Sequence, residues 1–552
     1  MSELLPTRQA KSIEDGLLDY LATTFALADD DARLALLEFL GDTDNGLFKG
    51  PFLRLRLPFR PASGSGGFSW NPDFVPYGHQ ASAFARLSSA ELGPERPRPL
   101  PTVITTGTGS GKTEAFLYPI LDHVLRARRA GVTGVKALIL YPMNALANDQ
   151  AKRLTELLTT REELAGITAA LYTGQDGPQR TKVTRDGLIT DRAIIRDSAP
   201  DLLLTNYKML DQLLLRSDDQ RIWQQSALSL QYLVLDEFHT YDGAQGTDVA
   251  MLLRRLGLTV KSHWPADVGT DDDRARPLGR ITPVATSATL GDQGDPGAML
   301  DFAATVFGET LDASCVIGEE RLTLQEWVGE APTEVMASGF VARTPARADL
   351  ASINTALDTA AGDAHQLAVA VVAALYDVTP SQLTARVGDD PVGLLPLLRA
   401  HPLVHTLVAA TGQAVSLADL GDLVFPDPPA PGAPDDDHVS FLTHVVAALS
   451  HVRARVGRAA LTVDLHLWVR ELTRIDRVAG SSAEYLWSDD GTLAGVDGED
   501  PFAGQTRPVF PAVYCRHCGR SGWGVELAAV GSDLAPEDTA IRRHHASREG
   551  RF

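Results

Sequence analysis

Cysteine is scarce in this chain, with three residues in 552, and that scarcity excludes a disulfide framework and fits a reducing compartment. No run of about 18 apolar residues occurs, so a membrane-spanning helix is not expected. The stretch Met1 to Lys11 lacks the basic start and apolar core of an export signal. The expected location is the cytoplasm, with no membrane partner. Positive charge is also short: 50 Lys and Arg face 71 Asp and Glu, a net charge of -21. Globally that argues against a polyanion-binding protein, but the acid is unevenly spread. Between Phe74 and Val260 there are 21 basic and 20 acidic side chains, so this stretch is near neutral and the global charge does not describe its surface.

Apolar residues at 44% and charged residues at 22% exclude wholesale disorder, and the length suggests about three or four domains at ~150 residues each. Apolar positions at helical spacing from Ile13 to Leu40, broken at Asp29, Asp30 and Asp31, predict two helices, and the Ser/Gly-rich run at 61–67 predicts a joint. From Phe74 to about Gly291 short apolar, β-branched runs alternate with helical stretches. The runs are Val103–Thr105, Ala137–Tyr141, Ala169–Tyr172, Leu202–Thr205, Tyr232–Leu235 and Val284–Thr286. This rhythm predicts an α/β fold, a parallel sheet sandwiched by helices, with ligands beyond the carboxyl ends of the strands. Residues 345–475 read as largely helical, with apolar stripes at Leu367–Leu375 and Phe441–Val452 and a Pro-rich break at 426–434. The expected division is an N-terminal helical segment and linker at 1–66, the α/β domain at 67–310, a mainly helical accessory insertion at 311–500 and a Cys-pair segment at 501–552.

The chemistry is concentrated in the α/β stretch. After the first apolar strand come Thr106, Gly107, Thr108, Gly109, Ser110, Gly111, Lys112 and Thr113, followed directly by a helical run. Small residues let backbone N–H groups close around phosphates, Lys112 reaches the β and γ phosphates, and the Thr113 hydroxyl ligates Mg²⁺. Thr106 stands where the general phosphate-binding loop has glycine. At the end of the strand Tyr232–Leu235 lie Asp236, Glu237, Phe238 and His239. Asp236 is placed to hold Mg²⁺ through its water shell and Glu237 to polarise a water attacking the γ-phosphate, with Lys112 and His239 in the same catalytic group. Taken alone, each motif is an ordinary Gly-rich turn or an acidic strand end; the order and spacing of the two make the nucleotide reading the stronger. Ser287, Ala288 and Thr289 end the next apolar run and are candidates to couple the nucleotide site to a bound strand.

Together these segments resemble the DExH helicases of superfamily 2, including the Thr at the first loop position. The resemblance implies a RecA-like first motor domain with ATP and Mg²⁺ as cofactors. Tyr77 to Gln80 is similar to the family's adenine-reading segment, in which the Gln80 amide can donate and accept at once. Pro142 and Asn144, Thr173 and Gly174, and Thr205 and Asn206 lie just after strands. They are similar to the segments that grip the sugar-phosphate backbone of a tracking strand without reading bases; the alternative is ordinary turn-forming loops. Residues 236–248 and 514–523 narrow the resemblance to large bacterial helicases with a cysteine-rich C-terminal module, of the mitomycin-repair type, found in DNA repair and phage-defence islands. It covers most of Phe74 to Trp523, weakly in the helical middle, and implies 3′-to-5′ movement on DNA, with RNA left open because such loops do not inspect the 2′-OH.

Cys515 and Cys518 have the spacing of half a Zn²⁺ site, since two thiolates three apart can share one tetrahedral metal. His517, His544 and His545 are substitute ligands, and two reduced thiols in a turn are the alternative. Cys315 reads as a buried apolar residue. Superfamily 2 motors hydrolyse ATP between two RecA-like domains, and after Thr289 no segment resembling the second appears. The chain is therefore expected to be a fragment, a truncated product or one half of a split enzyme. Its partner would be a second RecA-like domain in the same or a neighbouring chain, and its own ATPase weak or absent without it. The competing reading is a non-hydrolysing ATP- and nucleic-acid-binding switch or scaffold.

Overall fold

A computed structural model describes residues 5–42, 45–64, 67–107, 109–175, 177–241, 243–288, 296–388, 390–428, 436–472, 475–487 and 509–525. The chain forms two compact units, one of residues 59–321 and one of residues 1–58 with 322–552.

The unit of residues 59–321 is built on seven strands: β1 (Thr102–Thr105), β2 (Ala137–Tyr141), β3 (Ala169–Tyr172), β4 (Leu202–Asn206), β5 (Tyr232–Leu235), β6 (Thr282–Ser287) and β7 (Val316–Gly318). Their order in the sheet is β3-β4-β2-β5-β6-β1-β7, and every pairing is parallel. The six strands expected from the sequence are all present. The seventh, β7, is three residues long, too short for its pattern to show.

Both faces of the sheet are covered, which is why the strands read as unbroken apolar runs instead of alternating ones. Ala137, Ile139 and Tyr141 of β2 face a core shared with α1 (Gly78–Leu87), α2 (Lys112–Arg129) and α3 (Asn144–Thr160). Leu138 and Leu140 face the other core, with Leu210 and Leu213 of helix Tyr207–Leu215, Trp223, and Val249, Leu253 and Leu256 of helix Gly243–Ser262. Each fully buried Leu, Ile or Val among them contributes about 1.5–3 kcal/mol.

At the amino ends of the strands a buried ion pair fixes the layers. Lys136 Nζ donates to Asp201 Oδ1 at 2.8 Å, and Arg128 Nη1 and the Thr168 amide and hydroxyl each reach Asp201 Oδ2 at 2.8 Å. Asp201 therefore ties the start of β2, the end of α2 and the approach to β3.

In the other unit, helices Pro6–Thr24 and Asp30–Gly41 match the expected pair. The acidic run begins with the cap of the second helix: the Asp29 side chain accepts from the Ala32 amide at 2.8 Å. Helices Ala364–Leu375 and Asp437–Val456 carry the two apolar stripes, and Leu367, Val371, Phe441 and Val445 meet in one core. Strand Phe48–Arg56 pairs antiparallel with Thr462–Val469 and with Val415–Ser416. A second antiparallel sheet runs Tyr485–Trp487, Ile475–Val478, Val509–Tyr514, Ser521–Trp523. Among the described residues no single helix is long and apolar enough to cross a membrane.

Lys136→Met leaves the buried Asp201 carboxylate with Arg128 as its only cation. Breaking one side of a buried pair costs about 3–5 kcal/mol, and the retained arginine places the expected loss near the lower end in urea unfolding. The double variant Lys136→Met/Asp201→Asn should recover part of it; a single-variant loss under about 1 kcal/mol would remove this pair from the account of the fold.

Candidate nucleotide and strand site

The candidate nucleotide site lies at the carboxyl ends of β1, β5 and β6. Between β1 and α2 the chain turns through Gly109 and Gly111, both at φ +78°, a conformation L side chains rarely adopt. Gly111 caps α2, and a Cβ there would lie 2.2 Å from Gln80 Nε2, so a side chain at this position would displace the Gln80 amide as well as strain the backbone. Thr106 and Ser110 link their hydroxyls at 2.7 Å, so the hydroxyl at the first loop position braces the loop. Thr113 opens α2 beside Lys112. Thr108 lies outside the described residues.

Across the cleft, β5 ends at Leu235 and Asp236 follows, buried, its amide donating to Leu140 O at 3.0 Å. The Thr286 hydroxyl donates to Asp236 Oδ1, and the Glu237 amide reaches both Asp236 Oδ1 at 3.1 Å and Thr286 Oγ1 at 3.3 Å. Glu237 is held at φ +51°, a strained setting for a non-glycine residue. Its carboxylate lies 3.7 Å from Lys112 Nζ. His239 Nδ1 sits 3.1 Å from Ser287 Oγ and 3.5 Å from the second Glu237 oxygen. Lys112, Asp236, Glu237, His239 and Ser287 are thus brought together from segments well apart in sequence. Ala288 directly follows β6, and Thr289 lies outside the described residues.

Burial raises the pKa of Asp236, and the neighbouring Glu237 charge pushes it the same way, while the Thr286 hydroxyl opposes them. Two carboxylates in so dry a place fit a divalent cation close by. Among the described residues no group of three or more His, Cys, Asp or Glu could hold a metal by itself.

The Gln80 amide is spent within the chain: Oε1 accepts from the Tyr77 amide at 2.9 Å and Nε2 donates to Gly111 O at 3.1 Å. His79, buried and held below its ordinary pKa chiefly by that burial, places Nε2 3.0 Å from Ser110 O. Gln80 and His79 therefore fasten α1 to the phosphate loop. Three contributors escaped the sequence reading. Thr286 stands one residue before the recognised Ser287, and its place opposite Asp236 follows from the parallel β5–β6 register. Glu319, just past β7, accepts from the Gly107 amide at 2.6 Å, and Arg321 Nε binds Glu319 at 2.7 Å; no sequence signal marked either.

The candidate strand residues gather at the carboxyl ends of β2, β3 and β4, beside Pro142 and Thr173. Asn206 Nδ2 donates to Asn144 Oδ1 at 2.6 Å, and Gly174 lies against the Met209 side chain. Thr205 is buried and donates its hydroxyl to Tyr172 O at 2.6 Å, so its side chain braces β3 against β4 and is not offered to a ligand.

Cys515 and Cys518 are exposed on the turn between Val509–Tyr514 and Ser521–Trp523, and Cys315 is buried. The turn is closed by Cys515 N to Arg520 O and Gly519 N to Cys515 O, both 2.9 Å. The Cys518 amide, then that of His517, and the Cys518 thiol lower the Cys515 pKa, so the turn favours the Cys515 thiolate. His544 and His545 lie outside the described residues.

Residues 80–294 match the DEAD/DEAH box helicase family model. The chain is 26% identical over 511 residues to Druantia protein DruE of Escherichia coli (strain UMEA 4076-1), a match covering 72% of this chain and 25% of that protein. It is 32% identical over 181 residues to the uncharacterized ATP-dependent helicase YprA of Bacillus subtilis (strain 168), covering 33% of this chain and 20% of the relative. It thus spans a quarter or less of the length of these curated relatives. Among solved structures, the DUF1998 helicase MrfA bound to DNA aligns with a TM-score of 0.34 at 20% identity, covering 61% of this chain and 42% of that one. The helicase Mss116 bound to single-stranded RNA and UDP-BeF aligns with a TM-score of 0.30 at 15% identity, covering 48% and 49%.

A carboxyl whose pKa is raised on folding favours the folded state only while protonated. That contribution is whole below the ordinary carboxyl range and is lost as pH rises through the raised value. Asp236→Asn should therefore unfold at a higher temperature than the unsubstituted chain at pH 7, with the gap closing towards pH 4. A gain of about 1 kcal/mol corresponds to roughly 2–4 °C for a unit of this size. A lower midpoint at pH 7 would contradict the charge strain assigned here.

Proposed function

We propose that the DEAD/DEAH box helicase segment at residues 80–294 is the first motor domain of an ATP-driven DNA helicase or translocase. The observation that carries this is the contact of Lys112 with Glu237 at 3.7 Å beside the buried Asp236, at the strand ends beside which Asn144 and Asn206 touch. Nucleotide and strand functions then share one sheet edge.

On this reading Lys112 exchanges Glu237 for the β and γ phosphates of ATP. The freed Glu237 carboxylate orients a water for in-line attack, with His239 fixing its second oxygen. Mg²⁺ held near Asp236 and Thr113 would neutralise phosphate charge. Asn144, Asn206 and the backbone at Pro142, Thr173 and Gly174 hold strand phosphates without reading bases. Negative charge growing on the γ-phosphate must also be met by arginines from a second RecA-like domain, in the same or a neighbouring polypeptide, and DNA binding closes that cleft. The resemblance to mitomycin-repair-type helicases supports a role in DNA repair or phage defence.

Lys112→Ala should weaken Mg²⁺–ATP binding in isothermal titration, because the loop loses its charge-assisted contact. Glu237→Gln should retain ATP but abolish the single-stranded-DNA-stimulated turnover gained when a second motor domain is supplied. Equal ATP affinity in the chain and Lys112→Ala would sink the nucleotide assignment. Turnover of about 1 s⁻¹ or more by the chain alone, typical of working enzymes, would sink the need for a second domain.

The Cys515 and Cys518 pair is proposed as half of a zinc site, so zinc should be weakly held after dialysis. One tightly bound zinc per chain by elemental analysis, lost in Cys515→Ser, would establish a complete site instead.

A further inference from the structure

Several arginines of this unit are neutralised by a carboxylate: Arg128 by Asp201, Arg153 by Glu114, Arg196 by Asp219 and Arg221 by Asp197. Among the cations without such a partner are four beside β3 and α3. Among the described residues no carboxylate lies within ion-pair distance of Lys152, Lys182, Arg185 or Arg192, and all four are exposed.

Lys182 and Arg185 lie on one loop, and Arg192, its guanidinium over the Tyr172 ring, opens the helix that follows it. After Gly174 the chain does not turn straight into helix Arg192–Asp197 but makes an excursion past β3, the outermost strand of the sheet. The excursion is ordered by its own backbone. Thr190 and Asp191 amides donate to Arg180 O, Thr184 and Gly187 exchange hydrogen bonds at 3.1 Å, and the Arg180 guanidinium packs on Gly187. Ile189 adds a parallel bridge to Ala170, so the free edge of β3 is partly covered. Exposed charge commonly protects a bare edge strand from pairing; here Ile189 already meets the edge, and Lys182 and Arg185 point to another use. Between the loop and α3 lies a cavity of about 370 Å³ whose wall includes Asn148, Lys152, Arg180 and Arg185, with Glu156 and Asp186 as its acids. Asn148 Nδ2 donates to Gln175 Oε1 at 3.0 Å, joining α3 to the start of the excursion.

We infer that this basic loop, with Lys152 of α3, is an extension of the strand track that binds the backbone phosphates of single-stranded nucleic acid just beyond Gly174. The inference rests on the strand-binding reading proposed above. The track runs along the carboxyl edge from β2 across β4 to β3; the loop leaves that edge after Gly174 and, because Ile189 returns parallel to Ala170, carries Lys182 and Arg185 down the outer flank of β3, with Arg185 facing the same cavity as Lys152 of α3. Cations without partners on an ordered loop supply the sequence-independent attraction such a track needs. The two acids keep the wall from being a general polyanion trap.

The test compares the chain with Lys152→Gln/Lys182→Gln/Arg185→Gln by fluorescence anisotropy, using labelled oligothymidylates of about six and about twenty nucleotides and a blunt duplex, across a salt series. All three positions are exposed, and an unchanged thermal midpoint checks the fold. The expected result is a loss of roughly tenfold or more on the long oligomer at 0.1 M salt, with little change on the short one. The log–log salt slope should fall by about 2, at about 0.7 per phosphate contact on single strands. The charge-keeping Lys152→Arg/Lys182→Arg/Arg185→Lys should retain the unsubstituted affinity. Equal affinity and slope for the chain and the triple Gln variant would overturn the inference while leaving the strand site standing. Failure of the chain to bind either oligomer would overturn both, and a loss confined to the duplex would overturn the assignment to a single strand.

Discussion

The register of a parallel sheet is the constraint on which the candidate site depends. Because β6 lies between β5 and β1, the residues leaving β5 and those opening α2 after β1 are separated by one strand. The gap is bridged by a β6 side chain, Thr286, whose hydroxyl meets Asp236. That spacing lets Lys112 reach Glu237. A slip of one residue in β6 would turn Thr286 to the other face, leaving Asp236 buried without its donor. The apolar packing on both faces of the sheet therefore does more than stabilise: it holds the register on which a carboxylate, a hydroxyl and an ammonium must agree.

What the sequence made legible follows from the length scale of each signal. Six of the seven strands and the turn into α2 were readable because parallel strands buried on both faces give continuous apolar runs, and a phosphate loop is contiguous. The acidic tetrad was readable because it follows such a run. Thr286, Glu319 and Arg321 were not, since their roles come from neighbours in space: a register between strands for the first, and a three-residue strand at the sheet's far edge for the others. The pairing of Phe48–Arg56 with Thr462–Val469 has the same character, as strand partners more than four hundred residues apart leave no local mark. Gln80 is instructive in another way. The resemblance expects its amide to read a base, and the backbone of Tyr77 and Gly111 engages it instead. A side chain's hydrogen-bonding capacity is visible in a sequence, but its allegiance is not.

Charge shows the same limit. A net -21 describes the whole chain, yet association with a polyanion depends on cations free to meet it. Paired arginines such as Arg128 and Arg196 contribute little field beyond their partners, whereas an unpaired Lys182 or Arg185 contributes all of its own. Which cations are spent is a property of the fold, and the near-neutral composition of residues 74–260 conceals it.

The strain stored at the nucleotide site gives these pieces a direction. Glu237 holds a left-handed backbone conformation and Asp236 is buried beside a like charge. Each costs stability that the apolar cores on either side of the sheet must supply. Lys112 relieves part of the cost by lying near Glu237. Phosphates with a divalent cation would relieve more of it, since they attract Lys112 and neutralise the paired acids together. On the proposed reading, ligand binding would relax an arrangement the fold already holds under tension, at the same strand ends where His239 meets Ser287 and, two strands away, Asn144 meets Asn206. A sheet whose carboxyl edge carries both contacts can couple them without a long relay, because the shared element is the register itself.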